Sequence, residues 1–291
     1  MKQPGGMDKA AISRNFNRAA LEYDQHALLQ NIVLERLLEQ IPVFCIKPAR
    51  VLDLGSGTGK GASRLRKQYS GSRIIQLDIA EAMICIAKKR AGRFFSRTSF
   101  ICADADQLPL GDATIDMVFS SLMLQWSQAP DQLLHDLHRV IKPGGLLLFA
   151  TLGRDTLYEL EESWHSTDSQ SHVHVFPDIQ IIGNMLVQCG FVQPVLSSER
   201  LGFNYGDVNS IMKDLKSVGA VNSGQNRRRS LTGKNRYLQC MHAYEQFRRD
   251  GKLPATYEII YGHAWAKDVT ERSHQHELRF VPTQEIRPGK S

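Results

Sequence analysis

Val51-Leu52-Asp53-Leu54-Gly55-Ser56-Gly57-Thr58-Gly59 carries an apolar strand into a turn with three glycines. Glycine at alternate positions lets the backbone turn sharply and approach a ligand closely, where a Cβ would intrude. A helix starting just after the turn offers unpaired N–H groups to whatever the turn holds. This is the chemistry of a nucleotide-like cofactor gripped at the carboxyl ends of parallel strands. Two more carboxylates, Asp78 and Asp104, stand at expected strand ends. Asp78 can accept hydrogen bonds from both hydroxyls of a ribose, and it also suits capping of a helix that follows it. Asp104 offers a further carboxylate acceptor, and Ala105 a backbone donor, at the next strand end. Asp53 reads as orienting the turn, and Asp106 and Asp112 as solvated.

Positioning these groups requires an alternation of strands and helices. The patterning predicts strands at Val51–Leu54, Arg73–Leu77, Ser99–Ala103, Ile115–Ser120 and Leu146–Thr151, the last entered through the turn Lys142-Pro143-Gly144-Gly145. Helical patterns lie between them, notably Glu81–Arg90 and Asp131–Val140, so the sheet is parallel and covered on both faces. Two amphipathic helices are expected before the first strand, over Lys9 to about Gln40. Beyond Thr151 the pattern predicts helices at Asp155–His165 and Pro177–Cys189 around a polar loop, Ser166–Ser171. Strands follow near Val192–Tyr205 and at Thr256–Ala264; with no ordinary crossover between them, they form an antiparallel pair closing the sheet edge. The expected fold class is α/β, a mostly parallel seven-stranded sheet with an antiparallel final strand. One domain spans 8–265, with N-terminal helices over 8–45, a basic helical insertion over 207–252, and a polar tail over 266–291.

Bulk properties narrow the function. The chain has 291 residues, 42% of them hydrophobic, enough for a sizeable core. No apolar run is long enough for a membrane span, and the start has no secretory pattern. The five cysteines are odd in number and scattered, which fits reduced, mostly buried thiols of a cytoplasmic protein. His172, His174, His274 and His276 form no ligand set with a third partner, so no metal is expected. The net charge is +6, and residues 207–252 alone hold ten Lys/Arg against four acids, a surplus as large as the whole chain's. A one-sided basic face attracts nucleic acid or an acidic protein; a solvated surface is the plainer reading.

A glycine turn with Asp78 about 20 positions on fits a nicotinamide dinucleotide as well as S-adenosylmethionine. Position 60 is lysine, not the third glycine that packs a helix against pyrophosphate. Ala103-Asp104-Ala105-Asp106-Gln107-Leu108-Pro109 and Val140-Ile141-Lys142-Pro143-Gly144-Gly145 resemble segments of class I methyltransferases, and they favour S-adenosylmethionine, with S-adenosylhomocysteine as its product. The cofactor-binding residues expected on this basis are Phe16, as packing from a lid, together with Asp53, Gly55, Ser56, Gly57 and Gly59. To these are added Asp78, Ile79, Met83, Asp104, Ala105 and Ser120.

A narrower resemblance covers about Lys9 to Trp265. Ser13-Arg14-Asn15-Phe16-Asn17-Arg18-Ala19-Ala20 with Tyr23-Asp24, Ser121-Leu122-Met123-Leu124-Gln125-Trp126, Asp214-Leu215-Lys216-Ser217-Val218-Gly219-Ala220-Val221-Asn222, and Leu253-Pro254-Ala255-Thr256-Tyr257-Glu258 through Trp265 are similar to the malonyl-acyl-carrier-protein O-methyltransferases of biotin biosynthesis. The resemblance implies methyl transfer to the free carboxylate of a malonyl thioester. It also gives the basic insertion a partner, the acidic acyl carrier protein, and no role on nucleic acid or membrane. The tail beyond Trp265 is longer than the family usually carries.

Such an acceptor is already ionised at neutral pH, so no general base is required. The site must align oxygen, methyl and sulfur and strip water from the carboxylate. Neutral donors and at most one cation are expected, because a strong clamp would also retard attack. Tyr23, Gln125 and Trp126 are the catalytic candidates, with a half-buried core tyrosine and simple core filling as the plain readings of Tyr23 and Trp126. Tyr205, Lys213 and Lys216 are acceptor-side candidates, and Arg227, Arg228 and Arg229 a contact for the carrier protein. Rival readings are another carboxylate methyltransferase, acting on aconitate-like acids, and a methyltransferase-fold assembly factor. Against base methylation, Ser120-Ser121-Leu122 stands where an Asn-Pro-Pro-Tyr-type motif is expected.

Overall fold

Apolar residues fill the central strands almost without interruption, and such runs are stable only when both sheet faces are covered. The computed structural model describes residues 8–92, 97–167, 174–218 and 233–267. Seven strands form one sheet in the order β3-β2-β1-β4-β5-β7-β6. They are β1 (Arg50–Leu54), β2 (Arg73–Asp78), β3 (Thr98–Cys102), β4 (Ile115–Ser121), β5 (Ile141–Leu152), β6 (Phe191–Tyr205) and β7 (Leu253–Ala266). Strands β1 to β5 pair in parallel, whereas β7 runs antiparallel to both β5 and β6. The antiparallel closing pair therefore stands as expected. Lys142–Gly145 lies within β5, and the β4–β5 register shifts across it, from Ile115 opposite Ile141 to Met117 opposite Leu146.

Alternation along the strands splits the interior into two cores. Val51, Leu146, Leu148 and Ala150 face one side, against α3 (Leu28–Glu39), α4 (Lys60–Gln68), α7 (Tyr158–His165), α9 (Val208–Ser217) and α10 (Lys234–Tyr244). Leu52, Leu54, Leu147 and Phe149 face the other, against α6 (Pro130–Val140) and α8 (Ile179–Gln188). Helix α5 (Glu81–Ala91) packs beside β2 and β3 at the sheet's other end.

The N-terminal region departs from the expected helix pair. It breaks at Ala20–Glu22 and again at Ala27, giving α1 (Lys9–Ala19), a single turn α2 (Tyr23–His26), then α3. The apolar period reads alike across both breaks, because Ala20 and Ala27 are buried just as helix-interior residues would be. The cysteines also depart: Cys45, Cys85 and Cys102 are exposed, and only Cys189 and Cys240 are buried. Cys102 ends β3, the edge strand, where one side of the sheet has no neighbour. No helix among the described residues is long and apolar enough to cross a membrane. Gly219–Asn222, Arg227–Arg229, His172, His274, His276, the tail from 268 and most of the Ser166–Ser171 loop lie outside the described residues.

Candidate functional site

At the carboxyl ends of β1, β2, β3 and β4 the chain leaves a cavity. Gly55 and Gly57 form part of one wall, Asp78, Ile79 and Met83 another, and Asp104 with Ala105 an end. Phe16, Tyr23 and Trp126 complete the enclosure. Ten of the expected residues thus converge on one space.

The turn works because its glycines adopt φ of +72°, +52° and +81° at Gly55, Gly57 and Gly59, the left-handed region that L side chains resist. A Cβ on Gly57 would meet no atom within 4 Å and would stand in open space at the cavity. Gly59 faces away instead: its Cβ would come within 2.8 Å of Gln76 Oε1 and 3.0 Å of the Ala87 side chain. Its need is close packing of the turn onto β2 and α5, not room for a ligand.

Asp78 Oδ2 accepts the Gly57 N–H at 2.9 Å and Oδ1 the Ala80 N–H at 2.9 Å. Each oxygen retains a lone pair for a further donor. Burial pushes its carboxyl above the ordinary range, and the backbone donors of Ala80 and Gly57 restrain that rise. Asp53 lies beneath the turn at 3% exposure, with Oδ2 lacking a partner among the described residues. Burial pushes it up to about 7; the Ala62 N–H opposes this and the Asp78 charge adds to it. Neither Asp53 nor Ser56 lines the cavity; the Ser56 hydroxyl is buried without a partner among the described residues.

Several expectations need correction. Ser120 is fully buried and donates to the Leu54 carbonyl at 3.3 Å, holding β4 to β1, while its neighbour Ser121 faces the cavity. Successive strand residues point to opposite faces, so a displacement of one residue decides this. Asp106 is not solvated: it accepts from Lys9 at 2.7 Å, the Ser127 hydroxyl at 2.6 Å and the Gln128 N–H at 2.9 Å. Asp112, paired with Arg139 at 2.7 Å, keeps a 76% exposed side chain. Lys9 also binds Asp104 Oδ1 at 2.8 Å and lines the cavity. Lys9, Ile12 and Phe16 share one face of α1 at spacings of three and four, the signal that could have identified Lys9 and Ile12. Met123, whose Cγ would sit 2.3 Å from a Cβ on Gly55, carries no such signal.

Beyond the aromatic wall lies a larger cleft, bounded by α1–α3 on one side and α9 on the other. Phe16, Tyr23, Leu122 and Trp126 line both spaces and form their junction. Phe16 meets Trp126 edge-on at 5.4 Å and Tyr23 at 6.5 Å. Burial and the charges of Asp78 and Asp24 raise the Tyr23 phenol, which stays protonated across the physiological range. Gln125 lines the cleft alone, and both ends of its amide are engaged: Nε2 donates to the Leu122 carbonyl at 2.7 Å and Oε1 accepts from Thr151 at 3.2 Å. Lys213, Lys216 and Arg18 line the cleft as well. Tyr205 does so with its hydroxyl committed to Asp214 Oδ2 at 2.7 Å, so it is not a ready donor to an acceptor.

The sheet order, the antiparallel closing strand and the glycine turn with a carboxylate at the end of β2 define a class I methyltransferase, a class that uses S-adenosylmethionine. Residues 52–149 match the family described as a methyltransferase domain. The chain is 43% identical over 265 residues to the malonyl-[acyl-carrier protein] O-methyltransferase of Laribacter hongkongensis, covering 89% of each. It is 44% identical to that of Gallionella capsiferriformans, covering 89% of this chain and 91% of the relative. The solved YcgJ protein of Bacillus subtilis shares the fold, with a TM-score of 0.57 at 16% identity over 80% of this chain and 99% of that one. The chain belongs to the malonyl-[acyl-carrier protein] O-methyltransferase family.

Proposed function

We propose that this chain methylates the free carboxylate of a malonyl group carried as a thioester on acyl carrier protein, producing a methyl ester for biotin synthesis. The observation that carries this reading is the junction itself. The cavity that holds the glycine turn, Asp78 and Asp104 meets a cleft lined by Lys213 and Lys216 of α9, and the two join at Phe16, Tyr23, Leu122 and Trp126.

The cavity's residues fit S-adenosylmethionine. Asp78 would take the ribose hydroxyls, Asp104 and Ala105 the adenine, and the open face of Gly57 the methionine end. Bound there, the cofactor supplies an electrophilic methyl on a sulfonium. The chain's own contribution is enclosure and alignment. Phe16 and Trp126 exclude water from the junction, which favours a reaction in which opposite charges annihilate. Tyr23, fixed in its neutral form, can donate to the acceptor carboxylate without removing its charge. Lys213 or Lys216 would guide the anionic acceptor inward, and the Gln125 amide would hold the Leu122 segment rather than touch the acceptor. The charge of Arg227–Arg229 would suit contact with the acidic carrier protein.

The test is to incubate the purified chain with methyl-labelled S-adenosylmethionine and, separately, malonyl-acyl carrier protein, malonyl coenzyme A, aconitate or RNA. The expected product is a base-labile methyl ester on the carrier-bound malonyl group, with weaker labelling of the coenzyme A thioester and none of RNA. With substrates saturating, the chemical step should stay flat from about pH 6 to 8, because the acceptor titrates well below that window. Preferred labelling of aconitate or RNA overturns the substrate assignment.

A further inference from the structure

Helices α1 and α2 form a strap across the cavity that belongs to neither main core. Its Ala20, Phe16 and Tyr23 pack with Ala80 and Met83 in a small separate cluster. The rest of its attachment is polar. The Ser13 hydroxyl donates to the Ile79 carbonyl at 3.2 Å. Asn17 Oδ1 accepts the Ala82 N–H at 2.8 Å, capping the first turn of α5, whose own N-cap residue Ala80 has no capping side chain. At one end of the strap Lys9 holds Asp104 and Asp106.

The other end converges on one carboxylate. Asp24 Oδ1 accepts from the Thr58 hydroxyl at 2.7 Å, and Oδ2 pairs with Arg90. Lys60 Nζ lies 3.5 Å from Oδ1. Arg90 Nε in turn donates to the Thr58 carbonyl at 2.8 Å. Thr58 sits between Gly57 and Gly59 and is 3% exposed. Asp24 therefore joins the strap, the glycine turn and α5 at one point, directly beside Tyr23. Burial raises its carboxyl, but the Thr58 hydroxyl and the Arg90 and Lys60 cations more than offset this and leave it below the ordinary value.

We propose that Asp24 is a positioning residue for the methyl-donor cavity: through the Thr58 hydroxyl it latches the strap onto the glycine turn, and release of this latch governs how fast the spent donor leaves. The proposal rests on reading that cavity as the donor site. Ile12, Phe16 and Tyr23 place the strap over one side of the cavity, so lifting it would open that side of the donor site to exchange. The satellite cluster is small, and charged groups hold the strap at both ends, contacts that must break when it lifts. Asp24 touches no cavity atom itself; it acts through Thr58 and through its neighbour Tyr23.

The experiment compares the full wild-type chain with D24N and T58V. Release of labelled S-adenosylhomocysteine is followed after dilution, and amide hydrogen exchange is followed over 9–26 and over 115–121. In D24N, loss of a charge-assisted bond should speed release about tenfold and raise the KM for S-adenosylmethionine in proportion. The KM for the malonyl thioester should hold, and exchange should quicken over 9–26 while 115–121 keeps its protection. T58V should shift both readouts in the same direction by a smaller factor. Release and strap exchange equal to wild type in D24N overturn the proposal. Should D24N lose protection over 115–121 as well, its fold has failed and T58V decides alone, unchanged values overturning the latch. If the wild type binds no S-adenosylhomocysteine, the donor-site reading fails, and the exchange comparison still judges the latch.

Discussion

Asp78 combines a half-buried carboxylate with unspent acceptor capacity at a cavity wall. Its backbone donors, Gly57 and Ala80, hold one oxygen each and fix its orientation. D78N removes one acceptor oxygen and the charge, and affinity for S-adenosylhomocysteine should fall between about ten- and a hundredfold. The same residue sets a pH dependence. Burial raises its pKa in the free protein, whereas ligand hydroxyls donating to the carboxylate favour its charged form and lower it on binding. Affinity is therefore complete above the raised free-state pKa and is lost as pH falls through it. Calorimetric titration with S-adenosylhomocysteine across this range should show that loss in the wild type and a flat profile in D78N. A profile that stays pH-dependent in D78N would transfer the effect to another group, Asp53 first, since burial pushes it up to about 7.

At the scale of elements, the glycine turn divides into positions that serve the ligand and positions that serve the fold. G59A places a Cβ 2.8 Å from Gln76 Oε1 and 3.2 Å from the Ala87 Cα at φ +81°. The cost should reach about 2 kcal/mol, or roughly 5 °C in Tm. G57A meets no atom and carries only the left-handed strain of about 1 kcal/mol, but its methyl enters the cavity edge. It should weaken S-adenosylhomocysteine binding far more than it lowers Tm. Thermal melts with and without ligand separate the two; equal losses of stability and affinity in both variants would remove the distinction. The turn and five parallel strands are legible in the sequence because continuous apolar runs ending in Gly or Asp have few other solutions. The strap is less so, since α1, α2 and α3 continue one helical period through breaks that burial alone does not mark. Ser120 and Ser121 differ only in which face of β4 they occupy, and that follows from register, which no local pattern records. Lys9, Asp24 and Asn17 act across 95, 34 and 65 residues of chain respectively. Such pairings are set by the topology and are invisible to spacing.

For the molecule as a whole, the sheet gathers donor chemistry at the carboxyl ends of β1–β4, and α9 after β6 brings positive charge to the adjoining cleft. Not all of the basic surplus in 207–252 is available to a partner, because Arg248 is held by Glu245 and by the Gly206 and Gly251 carbonyls. Lys213 and Lys216 line the cleft. If the basic face recruits an acidic carrier protein over distance, it acts mainly on encounter, and encounter is what salt screens. The KM for malonyl-acyl carrier protein should then climb several-fold between about 50 and 300 mM salt, with kcat unchanged. A malonyl thioester on a short uncharged arm offers only its own carboxylate and should shift far less. Reversing the arginine run as R227E, R228E and R229E should reproduce the high-salt KM at low salt for the carrier protein and leave the short thioester alone. Equal salt responses of the two substrates would confine the role of the charge to the acceptor carboxylate and remove the carrier protein from that face.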